Sequence, residues 1–180
     1  MNSRSVSLIM IPVLNLISLV AVRALPIANQ IDETASAYSS IDLSKINQQV
    51  TTEFLKAWNS SHNGVDQVEA VVLIFCRADG SYFASSLGQT NESNKLRFKW
   101  DPAAIAIAHT HPTSLDPKPS SEDKRVADKL GVPIFTMSRW GMYMYDPGTH
   151  QITKIQNNLD WLEPSSWVRV SDSRPISVGK

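Results

Sequence analysis

The sequence predicts an α/β domain in which a mixed β-sheet is flanked by helices. Two apolar runs, residues 68–76 and 103–108, lack polar–apolar alternation, which is typical of strands covered on both faces. Helical patterns before the first run and after the second would supply that cover. The chain has 180 residues, which is enough for one domain with its own hydrophobic core.

The first helical pattern begins near Leu43. Its apolar residues recur at spacings of three and four, which predicts one buried stripe on a helix of about four turns: Ile46, Val50, Phe54, Ala57 and Trp58. Asp42 or Ser44 can cap the start of this helix. Gly64 suits a left-handed exit after its end.

Turn residues divide the rest of the domain into strands and a second helix. Asp79-Gly80 predicts a tight turn between residues 68–76 and a returning strand at 81–85. A helix is expected from Ser120-Ser-Glu-Asp123 to about Leu130, followed by a hairpin of strands at 132–137 and 142–145. One more strand is expected at 152–155. The predicted order is helix, hairpin, strand, loop, helix, hairpin.

The N-terminal segment predicts export. Residues 5–22 carry no charge and lie between Arg4 and Arg23, at a length between a signal-peptide core and a minimal membrane span. We expect residues 1–24 to form a signal peptide or an uncleaved N-terminal anchor; a segment with no targeting role is the remaining alternative. Export would make the protein secreted, or periplasmic or otherwise extracytoplasmic.

The remaining chain divides into three predicted parts. Residues 25–42 are polar and rich in small side chains, and we interpret them as a linker. Residues 43–155 form the predicted folded domain, and residues 156–180 form a C-terminal extension that ends in a polar tail. The sequence leaves the oligomeric state open.

Charge and cysteine content exclude several classes of protein. Seventeen Lys and Arg against seventeen Asp and Glu leave no basic excess, so we expect no nucleic-acid partner. Contact with a membrane is expected only through residues 5–22, if that segment is retained. The single cysteine excludes intrachain disulfides and multi-cysteine zinc modules. Cys76 lies in an apolar run, and we expect it to be a buried small hydrophobe.

A candidate metal site follows the second apolar run. His109 and His111 lie at positions i and i+2, which point to the same side of a strand, so both imidazoles can hold one metal ion. Asp123, in the first turn of the next helix, could complete a set of three ligands with one position left for water, as in catalytic zinc sites. Two alternatives stay open: the histidines could be structural, and residues 120–123 could be an ordinary capped helix start.

A hydrolytic zinc site also needs a carboxylate that is not a ligand, to move a proton between water and the leaving group. Glu69 is the candidate, because it lies at the mouth of an otherwise apolar strand, where a charged group has a cost in solvation. The alternative is that Glu69 is a solvated strand end.

The compound pattern Glu69, His109-Thr-His-Pro112 and Ser120-x-x-Asp123 resembles the JAMM (MPN-plus) zinc metallopeptidases, over roughly residues 43–147. The resemblance implies a JAMM/MPN-like fold, with cytidine-deaminase-like layering of sheet and helices. It implies one zinc ion bound by His109, His111 and Asp123, with Glu69 as general base and acid. It also implies that Ser120 hydrogen-bonds the oxyanion of the tetrahedral intermediate. The spacer before Ser120 is one residue longer than in the family pattern.

The expected function is therefore an exported zinc-dependent hydrolase that cleaves amide or isopeptide bonds in a peptide or a modified protein. The alternative is a non-catalytic JAMM/MPN-like module with a binding or structural role. A barrel-type phosphoesterase or amidohydrolase is disfavoured, because few residues and only His150 remain to supply further strands and ligands downstream of His111.

Overall fold

The computed structural model describes residues 41–65, 68–89 and 98–170. The predicted leader, residues 1–24, lies outside the described residues, as do most of the predicted linker and residues 171–180. In the part of the chain that is described, every helix is too short or too polar to cross a membrane.

A six-stranded mixed sheet organises the domain, which confirms the predicted α/β class. The strands in chain order are β1 (Ala70–Cys76), β2 (Tyr82–Gln89), β3 (Ala104–Thr110), β4 (Ile134–Ser138), β5 (Gly141–Asp146) and β6 (Gln151–Asn157). Their order in the sheet is β2-β1-β3-β4-β5-β6. β3 and β4 are parallel and every other neighbouring pair is antiparallel.

Among the described residues, three α-helices accompany the sheet: α1 (Gln48–Ser60), α2 (Ser121–Leu130) and α3 (Pro164–Val170). Because β3 and β4 are parallel, the chain must cross from the end of one strand to the start of the other, and α2 makes that crossover. Ser120 caps the start of α2, and Gly131 ends it in the left-handed conformation, with φ of 70°. Both boundaries of α2 agree with the sequence prediction.

The predicted start of the first helix near Leu43 is wrong. Asp42 caps only a short 3₁₀ turn at Leu43–Lys45, after which Ile46 is extended, with φ of −68° and ψ of 113°. α1 begins after Asn47, whose side-chain oxygen accepts from the backbone N–H of Gln49 and Val50. The Asn47 amide also donates to the Tyr82 carbonyl on β2 at 3.0 Å. This bond to β2 holds Asn47 at the start of the helix. The spacing of apolar residues cannot indicate such a contact with a distant strand.

The larger hydrophobic core lies between α1 and one face of the sheet. Phe54 and Trp58 of α1 pack with Trp161, at ring-centroid distances of 6.4 and 5.5 Å. Trp161 and Trp167 are both fully buried. The Trp161 indole N–H donates to the Ser138 carbonyl at the end of β4, at 3.0 Å. Two residues of the predicted C-terminal extension therefore contribute to this core.

The opposite face of the sheet packs against α2. Val71, Leu73, Ile107 and Ile134 form a smaller core there with Ala127 of the helix. Because side chains alternate along a strand, position 109 of β3 and position 111, which directly follows the strand, point to the same face as Ile107. The two histidines therefore continue the apolar row that α2 covers.

Cys76 is exposed, which corrects the expectation that it is buried. It is the last residue of β1 and is followed directly by the exposed residues 77–79. Apolar neighbours in the sequence did not ensure that the thiol is buried, because Cys76 lies at the end of the strand.

Gly141, at the start of β5, provides a test of the sheet's packing. Its φ is 135°, and a Cβ there would overlap the Gln156 carbonyl oxygen on β6. We expect Gly141→Ala to lower the free energy of unfolding by about 3 kcal/mol or more, through backbone strain and this overlap. Chemical denaturation followed by tryptophan fluorescence measures the change.

Gly88→Ala is the matched control. Gly88 also has a positive φ, 80°, but no atom lies within 4 Å of its ideal Cβ. Only the conformational cost remains there, about 1–2 kcal/mol. Equal losses in the two variants would show that the close approach of β5 and β6 at Gly141 does not constrain the fold.

Candidate metal site

The candidate site lies at the carboxyl end of β3, beneath the first turn of α2. In the sheet register, His109 lies opposite Val71 of β1 and Thr136 of β4. His109 is completely buried and His111 is nearly so. The fold therefore places both imidazoles in the interior, side by side, where α2 begins.

Three side chains converge at this point. The Nε2 atoms of His109 and His111 lie 3.1 Å apart. The Asp123 carboxylate approaches both rings, with Oδ1 at 3.3 Å from Nε2 of His109 and Oδ2 at 3.5 Å from Nε2 of His111. The three residues predicted as metal ligands are thus brought together.

A capping box aims the Asp123 carboxylate at the histidines. Oδ2 of Asp123 accepts from both the backbone N–H and the hydroxyl of Ser120, each at 2.7 Å. The Ser120 hydroxyl oxygen in turn accepts from the Asp123 backbone N–H at 3.2 Å. The ordinary helix start and the candidate ligand are therefore one structure: the same bonds that cap α2 also orient Asp123.

Glu69 lies next to the paired imidazoles. It directly precedes β1, and the antiparallel register of β1 and β3 has Val71 opposite His109 two residues further on. Ala70 is held there by its backbone N–H, which donates to the Thr110 hydroxyl at 2.9 Å. One potential ligand atom each from Glu69, His109 and His111 lies within 4.8 Å of the others, and this buried group could hold a metal ion.

The two carboxylates have opposite electrostatic environments. Burial raises the pKa of Glu69 to about 7; Asp123 adds to the rise and His111 opposes it. Burial also opposes ionisation of Asp123, but His109, His111 and Ser120 outweigh it and lower the pKa of Asp123 well below its ordinary value. Asp123 is therefore ionised at neutral pH, and Glu69 is poised between its two protonation states.

The two imidazoles also differ. Burial lowers the pKa of His109 to about 4, so this ring is neutral at physiological pH. Burial acts in the same direction on His111, but Asp123, the Asp116 carbonyl and Glu69 together raise the pKa of His111. Within the described residues, Nδ1 of His109 is a buried side-chain nitrogen without a hydrogen-bond partner.

The donor set and its spacing fit a small divalent cation. Ligand atoms at about 2.0–2.1 Å from a tetrahedral zinc ion lie about 3.3 Å from one another. The measured separations are 3.1, 3.3 and 3.5 Å, the last two being to different oxygens of Asp123. Hydrogen bonds can hold these atoms together without a cation, and each of them could instead offer a lone pair to a cation at their centre.

Other features of the site differ from the sequence interpretation or were missing from it. His150 lies away from the cluster, with Nδ1 at 2.7 Å from the Tyr145 hydroxyl. The Asp116 carbonyl contacts the His111 ring, and Thr110 and Thr136 make bonds that hold the site's surroundings. Thr110 could have been found from the sequence, because it is the middle residue of the His-Thr-His motif. Nothing in the sequence indicated a role for the Asp116 carbonyl or for Thr136.

No protein-family model, curated protein or solved structure matches this chain. The fold and site therefore define the molecule at a general level: a mixed α/β domain with a buried Glu–His–His group that could hold a metal ion.

The raised pKa of Glu69 predicts a pH-dependent stability in the presence of a metal chelator. The folded value of about 7 exceeds the ordinary value of 4.5, so the folded state binds more protons between these limits. The contribution of Glu69 is thus most favourable at low pH and is lost as the pH rises through about 7. We expect the stability of Glu69→Gln, relative to wild type, to increase by up to about 3 kcal/mol between about pH 4 and about pH 8.5.

Urea unfolding of both proteins at the two pH values measures this difference. Glu163→Gln, at an exposed position before α3, is the control for loss of a surface charge. It should change the free energy of unfolding by less than about 0.5 kcal/mol at either pH. A difference between Glu69→Gln and wild type that stays constant with pH would contradict the assignment of Glu69 as a buried, titrating carboxyl group.

Proposed function

We propose that the protein is an exported, JAMM-like zinc hydrolase that cleaves amide or isopeptide bonds in a peptide or a modified protein. The observation that carries the proposal is the convergence of two imidazole nitrogens and one carboxylate at 3.1–3.5 Å, with a second carboxylate beside them. Three ligands and a separate proton carrier are the parts that a catalytic zinc site requires.

In this proposal His109, His111 and Asp123 hold one zinc ion. When bound, zinc supplies Lewis acidity, which polarises a substrate carbonyl and makes water more acidic. His109 is suited to ligation because it is buried and neutral. Asp123 is suited because it is ionised and its orientation is fixed by the bonds from Ser120.

Glu69 acts as the general base and then the general acid. It takes a proton from the attacking water and returns that proton to the nitrogen that leaves as the amide bond breaks. Burial raises the pKa of Glu69 above its ordinary value, and a more basic carboxylate accepts a proton from water more readily. Its position beside the imidazoles puts this proton transfer next to the ligands.

Ser120 is proposed to stabilise the oxyanion, as the family resemblance implies. Its hydroxyl donates to Asp123, so this role requires the hydroxyl hydrogen to turn from Asp123 to the substrate oxygen. The Ser120 backbone N–H, also at 2.7 Å from Oδ2, would hold Asp123 in place meanwhile.

A specific observation favours the alternative of a non-catalytic metal-binding module. Glu69 offers a ligand atom within 4.8 Å of those of both histidines, so it could itself bind the metal with them. A Glu69 that serves as a ligand is no longer available to carry protons. The two functions therefore differ in what Glu69 does, and this can be measured.

The proposed setting is outside the cytoplasm, since the uncharged residues 5–22 resemble an export signal. A peptide or protein met in that compartment is the proposed substrate, and nucleic acid is not expected as a partner because the chain has no basic excess.

Glu69→Gln separates the hydrolase from the binding module. We expect the variant to retain its zinc ion and to lose turnover by at least about hundredfold, because the amide cannot carry the proton. Zinc is measured by elemental analysis of the purified protein. Turnover is measured with fluorogenic libraries of peptide bonds and of bonds to the lysine ε-amine, with and without a zinc chelator.

Full turnover in Glu69→Gln would contradict the mechanism. Zinc bound by wild type but lost by Glu69→Gln would identify Glu69 as a ligand and favour the binding module. Zinc retained by both proteins, with no cleavage by wild type of any bond in the libraries, would also favour the binding module.

His111→Ala tests the metal site itself. We expect its zinc content to fall from about one ion per chain to near zero, because two remaining protein ligands hold zinc weakly. His150→Ala is the matched control, since His150 is bonded to Tyr145 away from the cluster. Equal zinc contents in the two variants would contradict the proposed ligand set.

A further inference from the structure

A buried hydroxyl on the sheet forms a hydrogen bond to the loop between β3 and α2. Thr136, in the middle of β4, is completely buried and donates from Oγ1 to the Pro117 carbonyl at 2.5 Å. Its register partner on β3 is His109, so Thr136 lies on the site face of the sheet. The bond joins positions 19 residues apart, and it closes the loop over the neighbouring parallel strand.

The residue before Pro117 contacts the metal-site histidine directly. The Asp116 carbonyl oxygen lies 2.8 Å from Nδ1 of His111. A backbone carbonyl only accepts hydrogen bonds, so Nδ1 must carry the hydrogen. In the neutral ring, Nε2 then keeps its lone pair, and this is the nitrogen that lies 3.1 Å from Nε2 of His109.

The opposite tautomer would be costly in this arrangement. It would place the Nδ1 lone pair against the Asp116 carbonyl oxygen, and its hydrogen on Nε2 would occupy the lone pair that a metal ion needs. The loop carbonyl therefore selects the nitrogen of His111 that is offered to a metal ion, as hydrogen bonds to the second nitrogen of a ligating histidine generally do.

We propose that Thr136 is a positioning residue of the metal site: its bond to Pro117 holds the Asp116 carbonyl against His111 and thereby fixes the ring and its tautomer. This inference rests on the metal binding contained in the proposed function. A buried hydroxyl whose role is to hold this loop also explains a threonine where an isosteric valine would avoid the cost of burying a polar group.

Thr136→Val tests this, because valine keeps the shape and removes the hydroxyl. In the full chain we expect zinc affinity, measured by competition with a chromophoric chelator, to fall about tenfold. Thr136→Ser, which keeps the hydroxyl, should restore affinity to within about threefold of wild type. Thr51→Val is the matched control, because Thr51 is also buried and its hydroxyl donates to the Gln48 carbonyl in α1, away from the site.

A second readout needs no metal. Nitrogen-15 NMR of the imidazole rings in the metal-free protein, recorded at a pH at which His111 is neutral, should show His111 as the Nδ1–H tautomer in wild type and in Thr136→Ser. Thr136→Val should show a mixture of tautomers. If thermal unfolding shows that Thr136→Val is not folded, Thr136→Ala, which also lacks the hydroxyl, takes its place.

Wild-type zinc affinity together with a single Nδ1–H tautomer in Thr136→Val would overturn the inference. So would an equal loss of zinc affinity in Thr51→Val, since that would reflect general destabilisation. Failure of the proposed function is distinguishable, because wild type would then bind no zinc while the tautomer readout still reports on Thr136.

Discussion

The parallel pairing of β3 with β4 is the constraint on which the site depends. Two parallel neighbours require a crossover, and here the crossover helix α2 begins above the carboxyl end of β3. That end carries His109 and His111, and the first turn of α2 carries Asp123. An antiparallel β4 joined by a short turn would leave no helix start over the histidines. The convergence of the candidate ligands is thus a consequence of strand direction as much as of residue type.

The surroundings of the two carboxyl groups shift their pKa values in opposite directions. Asp123 receives two hydrogen bonds from Ser120 and faces two imidazoles, so its ionised form is stabilised. Glu69 is held at the buried mouth of β1, where loss of solvation favours the neutral form. Surroundings that lower the pKa of one carboxyl group and raise that of another suit the first to bind a cation and the second to carry a proton.

Sequence reasoning succeeded where the signal is local or follows from backbone geometry. The i, i+2 spacing places His109 and His111 on one side of β3, and the Ser120–Asp123 pattern both starts α2 and orients a carboxylate. The unalternating apolar runs correctly predicted central strands. These inferences needed only the period of a strand and the capping rules of a helix.

What sequence reasoning missed depends on contacts between distant segments. α1 begins after its cap, Asn47, whose amide also donates to the Tyr82 carbonyl on β2, and Cys76 is exposed at the end of β1. The Asp116 carbonyl contacts His111 through a backbone atom that every residue type possesses, so no pattern of side chains could identify it. Such contacts become visible only when the fold has joined the segments.

The middle residue of the His-Thr-His motif links the segment that carries the two imidazoles to the backbone next to Glu69. Thr110 alternates to the face opposite the histidines, yet its hydroxyl accepts the backbone N–H of Ala70. This side-chain bond continues the pairing of β1 with β3 at the point where Glu69 precedes the strand. The segment that carries both imidazoles therefore also fixes the backbone next to Glu69. The pairing of β1 with β3 therefore sets the distance between the imidazoles and the Glu69 carboxylate.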